Sequence, residues 1–255
     1  MTQTSSPVTS PPPTSPSEKF TFEEYLFYQD NSDTRYELFR GKLIPMPTPT
    51  ALHTDICKFL VYQFQRHFAR ANLSLVAVKN VGVRTEIDSS RIPDVILCTP
   101  QLWQQVRSRK GAGVLDFEEV PTLVVEVTSE NWRDDYIRKR AEYAMIDIPE
   151  YWIVDANKQR VRILTQPEKE DGYEHTDFLP GQEIRSRQFP ELVLSVAEIL
   201  SPPIVEDLIK AEQTFVSQLE EQVSEERQRA ETERQRADRL AAMLRERGID
   251  PDSFV

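Results

Sequence analysis

The sequence predicts an α/β domain with a mixed central sheet over residues 20–202, followed by a long helix. Three observations support this prediction. Short β-branched and apolar runs alternate with two segments of helical periodicity through the middle of the chain. These runs are too short to form helices of their own. After Pro202 and Pro203 the composition changes to a charged heptad pattern, which is typical of a helix outside the core.

The chain begins with a segment that predicts a disordered tail over residues 1–19. Residues 1–17 contain five Pro, five Ser and four Thr, and such a segment cannot bury enough apolar surface to offset its chain entropy. Thr21 precedes acidic residues and predicts a capped helix that runs to about Gln29. Residues 36–47 predict a hairpin, with Gly41 in its turn.

A longer helix and three strands are predicted next. Apolar residues recur at helical spacing over residues 51–70, which predicts a helix with one buried face. Strand-like runs follow at residues 73–78, 81–87 and 93–98. Residues 99–119 are polar and weakly patterned, so the sheet is predicted to resume only at Leu123.

The second half of the domain predicts one more helix and two strands. The helix covers residues 134–147. Its predicted buried face holds Ile137, Ala141, Ala144, Met145 and Ile148. Residues 150–155 predict a buried strand, and residues 160–164 complete a hairpin with it.

The last segment predicts a long helix over residues 203–247, followed by a tail at 248–255. A heptad register joins Ile209, Val216, Val223, Ala230, Ala237 and Leu244. Glutamates share the partner position with Leu219 and Leu240 and interrupt the apolar seam. Two interpretations stay open, a single solvated helix held by pairs such as Glu225 with Arg229, or a coiled coil that makes the chain a homodimer.

Composition and charge exclude several classes of protein. The net charge is −11, from 31 basic and 42 acidic residues, so any contact with nucleic acid needs a local basic patch. Only seven glycines are present, which argues against phosphate-cradling loops. No apolar run approaches about 18 residues, and the first residues lack signal features, so neither a membrane span nor a secretory signal is expected. Cys57 and Cys98 form no CxxC motif, which fits a reducing cytoplasm.

Glu126 is the most informative residue, because it stands inside the apolar run LVVEV at residues 123–127. A buried carboxylate left unpaired is costly, so Glu126 needs a cation, a donor or a proton. Asp94 poses the same question at the start of another predicted strand. If the two strands are neighbours, both carboxylates point into one site, as a hard divalent cation requires. The alternative is a structural ion pair with Arg84 or Arg91.

The order of elements resembles the PD-(D/E)XK nuclease superfamily and, more narrowly, the Uma-type restriction endonuclease family, which is abundant in cyanobacteria. The segments that carry the resemblance are, in chain order, RYELFRGKLIPMP, His53, RIPDVIL, LVVEVTS, DYIRKRAEYAMIDIPEYWIVD and ERQRADRLAAMLRERGIDPD. The resemblance covers roughly residues 20–251, most of the chain. Each segment is weak alone, but their order and spacing together are specific. The resemblance implies a restriction-endonuclease-like sheet flanked by helices.

The resemblance also implies a metal-dependent phosphodiesterase site. Asp94 and Glu126 would bind Mg²⁺, with Mn²⁺ as a substitute, and Glu37 matches an additional acidic residue of the family. Thr128 stands where the superfamily has a lysine, which would orient the attacking water and offset developing charge. The family moves this lysine to the following helix, where Lys139 matches it.

Three of these residues have competing interpretations. Lys139 lies opposite the Ile137 stripe, which predicts a solvated lysine, but Tyr136 and Tyr143 share its side and predict a covered cleft. His53 positions water or phosphate, or it is a cap or a partly buried hydrogen-bonding residue at the start of a helix. Glu37 is a site residue or a surface charge of the hairpin. An HExxH motif is missing, and His67 and His175 lack partners at ligand spacing, which argues against a zinc site.

One functional hypothesis and one rival follow. The leading hypothesis is Mg²⁺-dependent hydrolysis of phosphodiester bonds in DNA, carried out by Asp94, Glu126, Glu37 and Lys139. DNA contact would use the basic residues within 107–110 or 133–140, and it would be weak and sensitive to salt on this acidic chain. The rival keeps the fold without efficient catalysis and acts as a binding or assembly module, as Thr128 and the acidic surface favour.

Overall fold

The structure is a computed structural model that describes residues 19–30, 32, 34–128 and 132–248. Nearly all of the predicted disordered tail and of the C-terminal tail lie outside these residues. The chain divides into two compact units, Met1–Pro202 and Pro203–Val255, and each is described by itself. Among the helices of the described residues, none combines the length and the apolar character that a membrane span requires.

The first unit is built on a mixed six-stranded sheet. In chain order its strands are β3 (Val76–Val78), β6 (Val95–Cys98), β8 (Leu123–Val127), β9 (Glu150–Asp155), β10 (Arg160–Thr165) and β11 (Glu174–Phe178). Their order in the sheet is β11-β10-β9-β8-β6-β3, and β8 and β9 are parallel while the other neighbours are antiparallel. Strands β6, β8 and β9 are buried along their whole length. This arrangement agrees with the predicted mixed central sheet.

Two smaller sheets complete the strand content of the described part of this unit. The five-stranded sheet contains β1 (Tyr36–Phe39), β2 (Lys42–Pro45), β4 (Gly82–Glu86), β5 (Ser89–Arg91) and β7 (Val114–Leu115), in the order β2-β1-β5-β4-β7. Strands β12 (Glu183–Arg185) and β13 (Val193–Ser195) form an antiparallel pair. The β1–β2 hairpin is as predicted, and Gly41 in its turn has a φ of +79°.

The helices of the first unit partly match the sequence pattern. Helix α1 (Phe22–Leu26) has the predicted Thr21 cap but ends before Gln29. Helix α2 (Ala51–Ala71) buries its apolar face, and Asn72 ends it in the left-handed conformation. Helix α3 (Pro100–Ser108) lies in the polar stretch for which no helix was predicted. Thr99 caps this helix and Pro100 occupies its first turn. Helix α5 (Val196–Leu200) follows β13.

The helix after β8 has a different buried face from the one predicted. Its first part is a π-helix (Asp134–Lys139), and α4 (Arg140–Met145) continues it. Ile137 and Met145, predicted to be buried, are 61% and 76% exposed, and Ala141 is exposed as well. Lys139 and Tyr143 are buried instead. The prediction was wrong because a π-turn includes one residue more than an α-turn, which shifts the helical phase.

The second unit contains the long helix α6 (Val205–Glu246). It is 42 residues long, close to the predicted span. Glu225 and Arg229 form one of the predicted i,i+4 ion pairs, at 3.7 Å. The heptad residues Val216, Leu219 and Val223 are exposed in the single chain. Such a stripe suits either of the two interpretations that the sequence leaves open.

Candidate active site

Three carboxylates meet around the ammonium group of Lys139. Lys139 ends the π-helix and is 7% exposed. Its Nζ atom lies 3.0 Å from Glu126 Oε1, 3.3 Å from Asp135 Oδ1 and 3.4 Å from Glu37 Oε1. We call Lys139 and these three carboxylates the Lys139 cluster. It joins β8, the π-helix and β1, which belongs to the other large sheet.

Asp94 lies beside this cluster at the start of β6. Val95 pairs with Val125, so one more step in the same antiparallel register sets Asp94 opposite Glu126. The main-chain N–H of Val127 donates to Asp94 Oδ2 at 2.7 Å. His53 Nε2 contacts the other oxygen, Oδ1, at 2.8 Å. The carboxyl group is therefore held at both oxygens, and its side chain remains 17% exposed.

A second buried cation shares Glu37 with Lys139. Arg91 donates from NH1 to Glu37 Oε2 at 3.0 Å and to Asp134 Oδ2 at 3.2 Å. Its Nε and NH2 atoms each donate to Glu142 at 2.7 Å in a bidentate pair. Arg91 with Glu37, Asp134 and Glu142 is called the Arg91 cluster. It fixes Glu37 in the site, together with the Ile92 N–H that donates to Glu37 Oε1.

The charges of the Lys139 cluster are incompletely matched. Burial raises the pKa of Glu126 well above the ordinary carboxyl value; Lys139 opposes this rise, while Asp135 and Asp94 add to it. Burial also raises the pKa of Asp135, against the effect of Lys139. The pKa of Lys139 would fall on burial, but Glu126, Glu37 and Asp135 outweigh burial and raise it. Lys139 is therefore a protonated donor at neutral pH.

Glu37 behaves differently from the other two acids of the cluster. Its burial alone would raise its pKa, but Lys139 and Arg91 together lower it below the ordinary value. Glu37 is 6% exposed, so it is not the surface hairpin charge that the sequence left as an alternative. Its carboxylate is ionised and contacts both buried cations.

Thr128 occupies the position of the superfamily lysine. It is 8% exposed, and strand alternation puts it on the same face as Glu126. Among the described residues, its Oγ1 atom is buried without a hydrogen-bond partner. An ammonium is nevertheless present beside Glu126, because Lys139 contacts this carboxylate at 3.0 Å.

The alternative ion pairs considered from the sequence have other partners. Arg84 binds Asp116 at 3.0 Å, and Arg91 binds the acids of its own cluster.

Residues of the predicted basic segments are also engaged within the chain. Arg109 pairs with Glu119, and Arg140 donates to the main-chain oxygens of Asp171 and Tyr173. His67 packs against aromatic rings of Phe68 and Phe189.

Three residues of the site were missed from the sequence. Asp135 has the spacing of an ordinary i,i+4 partner of Lys139, and only its burial distinguishes it from a surface acid. Tyr143 donates its hydroxyl to Glu126 Oε1 at 2.7 Å. Cys57 lies one helical turn after His53, and its Sγ, a His53 nitrogen and an Asp94 oxygen lie within 4.8 Å of one another. The only sequence signal for Cys57 was its position on the apolar face of α2.

The donor set of the site fits a hard divalent cation. Glu37, Glu126 and Asp135 place three carboxylates around one ammonium, and Asp94 adds a fourth beside them, while Arg91 is already engaged with three acids. Uncompensated carboxylates in a buried setting favour a bound cation, and oxygen ligands suit Mg²⁺. Asp94 and Glu126 come from neighbouring strands, and these two would hold the ion.

Comparisons with known proteins agree with the fold. The family described as "Uma2: Putative restriction endonuclease" matches residues 22–202. A solved structure with a similar fold is that of a "putative nuclease belonging to DUF820" from Anabaena variabilis ATCC 29413. The TM-score is 0.57 with 19% sequence identity, over 71% of this chain and 98% of that chain. A search of curated proteins finds no match.

Proposed function

Because the chain belongs to the Uma2 restriction endonuclease family, we propose that it is a Mg²⁺-dependent endonuclease that hydrolyses phosphodiester bonds in DNA. Asp94 and Glu126 hold the ion, Glu37 assists, and Lys139 aligns the hydrolytic water. Mn²⁺ substitutes for Mg²⁺, since both ions accept carboxylate oxygens.

One observation carries this proposal. Glu126, Asp94, Glu37 and the ammonium of Lys139 come from four separate segments of the chain, and they converge in one buried site. A site with more carboxylates than it can neutralise reduces stability in the absence of a partner. Such a site is a functional candidate, because a structural ion pair with Lys139 requires one carboxylate and not the additional ones.

The residues around the carboxylates support the chemistry in distinct ways. When bound, Mg²⁺ supplies charge stabilisation of the phosphoryl group and lowers the pKa of the hydrolytic water. His53 and the Val127 N–H orient Asp94, and Tyr143 orients Glu126. Lys139 keeps its proton, so it donates a hydrogen bond to water or to a phosphate oxygen and does not act as a base.

DNA contact is proposed to be weak and to depend strongly on salt. The net charge of the chain is −11. Arg109, Arg138 and Arg140 are engaged within the chain, which leaves exposed residues such as Arg107 and Lys110 for the phosphates. Both cysteines of the chain are free thiols, and we place the protein in a reducing cytoplasm.

The test uses supercoiled plasmid with the full chain and Mg²⁺ or Mn²⁺. We expect nicking with either ion, none with a chelator, and loss of activity in Asp94→Asn and Glu126→Gln. Glu183→Gln, which changes an exposed acid on β12, is the matched control and should keep the activity. Calorimetric titration of Mg²⁺ into the wild type and Asp94→Asn measures binding separately. Cleavage that persists in both site variants, or its absence from the wild type, would contradict the proposal.

The exposed stripe on α6 favours a second proposal, that two copies of the chain pair through this helix. Val216, Leu219 and Val223 share one stripe at the spacing of a coiled-coil seam. We expect the full chain to have the mass of a dimer in solution and Leu219→Glu to reduce it to that of a monomer. A monomeric wild type, or a dimer that survives the substitution, would support the single solvated helix.

A further inference from the structure

A second group of potential metal ligands lies at the edge of the Lys139 cluster. It consists of His53 and Cys57, both on α2, and Asp94 before β6. Within the described residues, these are the three side chains of metal-ligating type whose ligand atoms lie within 4.8 Å of one another. The proposed hydrolysis gives Cys57 no role, and a buried thiol that faces a histidine and a carboxylate needs an explanation.

The backbone holds this group in place. His53 and Cys57 are four residues apart in a 21-residue helix, so they lie on one face. Thr50 caps the same helix end by accepting from the His53 N–H at 3.2 Å. Asp94 is fixed from the other side by the Val127 N–H at 2.7 Å. The third ligand is distant in sequence, which is why ligand spacing along the chain does not reveal the group.

We propose that His53, Cys57 and Asp94 form a second metal site, which takes a thiophilic divalent cation such as Zn²⁺ and thereby withdraws Asp94 from Mg²⁺. A nitrogen, a sulfur and an oxygen ligand are the set that Zn²⁺ accepts, and a water completes the tetrahedron. Mg²⁺ would not take the sulfur, because it is a hard cation that prefers oxygen.

The geometry requires only small side-chain shifts. Ligand atoms around a tetrahedral Zn²⁺, at bond lengths of about 2.0–2.3 Å, are separated by about 3.3–3.8 Å. The present separations are at most 4.8 Å, and the 2.8 Å contact between His53 and Asp94 would open to admit the ion. The His53 and Asp94 side chains are 18% and 17% exposed, so the ion can enter from their side.

Binding exchanges a proton for the metal. The Cys57 thiol is buried and faces the carboxyl group of Asp94. When the Sγ–Zn bond forms, the S–H bond breaks and the proton leaves to solvent. The ion also neutralises the charge of Asp94 next to Glu126, where the acids repel one another.

The binding test needs neither DNA nor activity. Co²⁺, which replaces Zn²⁺ and reports its ligands by absorption, is titrated into the full-length chain. We expect a thiolate-to-cobalt charge-transfer band that disappears in Cys57→Ala. Cys98→Ala is the matched control, because Cys98 is the other buried free thiol and lies in β6 outside the group, so its variant should keep the band. No band in the wild type, or a band that survives in Cys57→Ala, would overturn the proposal.

A second measurement covers the case in which Cys57→Ala fails to fold. X-ray absorption at the zinc edge of the loaded Cys98→Ala chain reads the ligand set directly. One sulfur with nitrogen and oxygen neighbours supports the site, whereas a shell without sulfur overturns it. If Cys57→Ala folds, we expect its dissociation constant for Zn²⁺ to be at least about 10-fold higher than that of the wild type.

The inhibitory part of the inference rests on the proposed function, and a separate experiment tests it. In plasmid cleavage with Mg²⁺, we expect Zn²⁺ to inhibit the wild type and the half-inhibitory concentration to rise about 10-fold or more in Cys57→Ala. Each variant is compared with its own rate without Zn²⁺. A chain that binds cobalt through sulfur but never cleaves DNA would refute the nuclease proposal alone. Cleavage with no sulfur ligation would refute the second site alone.

Discussion

The two oxygens of Glu37 contact two buried cations whose surroundings differ. In the Arg91 cluster every nitrogen of the guanidinium group donates to a carboxylate, and the Thr85 hydroxyl also donates to Glu142. In the Lys139 cluster the pKa values of Glu126 and Asp135 are raised by burial and by neighbouring acids. Each cluster places one cation among three carboxylates, so the clusters differ not in the number of acids but in the use of every guanidinium nitrogen by Arg91 and in the raised pKa values of Glu126 and Asp135 beside Lys139.

This difference separates structure from chemistry. A satisfied cluster stabilises the fold and gains nothing from an added ion. A cluster whose buried acids have raised pKa values stabilises its carboxylates incompletely, so its retention indicates a function such as cation binding. The two clusters share Glu37, each takes acids from the π-helix and α4 segment or the strands beside it, and all their members are buried except Asp134, whose side chain is 24% exposed. Substitutions in each therefore form a matched test of this distinction.

The largest expected effect is on catalysis, at Lys139. Lys139→Met removes the donor that aligns water and offsets developing charge, so we expect the plasmid cleavage rate to fall by about 10²–10⁴-fold. The measurement is the initial rate of nicking at saturating Mg²⁺. Lys169→Met is the control, because Lys169 is an exposed residue paired with Glu174. A rate within a few-fold of the wild type would remove Lys139 from the mechanism.

The next largest effect is on stability, at Arg91. Arg91→Met leaves Glu37, Asp134 and Glu142 without their shared cation, and we expect the free energy of unfolding in urea to fall by about 3–5 kcal/mol. Lys139→Met should lose less, because Glu126 and Asp135 already favour the protonated form. Arg40→Met, at an exposed pair with Glu86, should change stability by less than about 1 kcal/mol. Equal losses at Arg91 and Lys139 would contradict the distinction between the clusters.

The fold was more predictable from the sequence than the composition of these clusters. Buried strands such as β8 and β9 are short apolar runs, and α2 shows an ordinary helical period, so their patterns identify them. Strand β5 consists of Ser89, Ser90 and Arg91 and has no apolar pattern, yet it is fully buried, with Arg91 bonded to the acids of its cluster and the Ser89 hydroxyl donating to Glu86. Its burial depends on contacts with distant residues.

The site shows the same limit. Asp94 and Glu126 could be proposed from the sequence because a carboxylate next to an apolar run is unusual. The environment of Lys139 could not be derived from helical periodicity, since the π-turn moves Ile137 to solvent and Lys139 inward. Arg91 belongs to its cluster only through contacts with segments that lie far apart in the chain, and Asp135, an i,i+4 neighbour of Lys139, differs from a surface acid only by its burial; local pattern encodes neither.

A smaller effect is expected when the lysine is moved back to β8. Thr128 is buried on the Glu126 face, and its hydroxyl is without a partner among the described residues. In the Lys139→Met background, Thr128→Lys should restore an ammonium beside Glu126 and raise the cleavage rate about 10-fold over Lys139→Met alone. Thr176→Lys, at an exposed position of β11, is the control and should restore nothing. No recovery would mean that the position of the lysine, and not only its charge, is required.

The smallest effect is expected at an exposed cluster of the same type, Asp177 with Arg160 and Arg162. Asp177 accepts from Arg162 Nε at 2.6 Å and from Arg160 NH1 at 2.7 Å, and the hydrogen bond from Arg162 is the main cause of its lowered pKa. A carboxyl group whose pKa is lower in the folded chain adds stability above its ordinary value of 3.8 and loses that contribution as the pH falls through the folded value.

Solvent screens this cluster, so Asp177→Asn should cost at most about 1 kcal/mol of unfolding free energy at pH 7. The cost should shrink as the pH falls below 3.8, because Asp177 of the wild type is then increasingly protonated and comes to resemble the variant. Urea denaturation of the wild type and of Asp177→Asn, at pH 7 and at a pH below 3.8, measures the cost in unfolding free energy at each pH. Asp171→Asn is the exposed control. A cost that stays constant with pH would assign the loss to packing instead of charge. A cost as large as that of Arg91→Met would show that burial is not what separates strong clusters from weak ones in this fold.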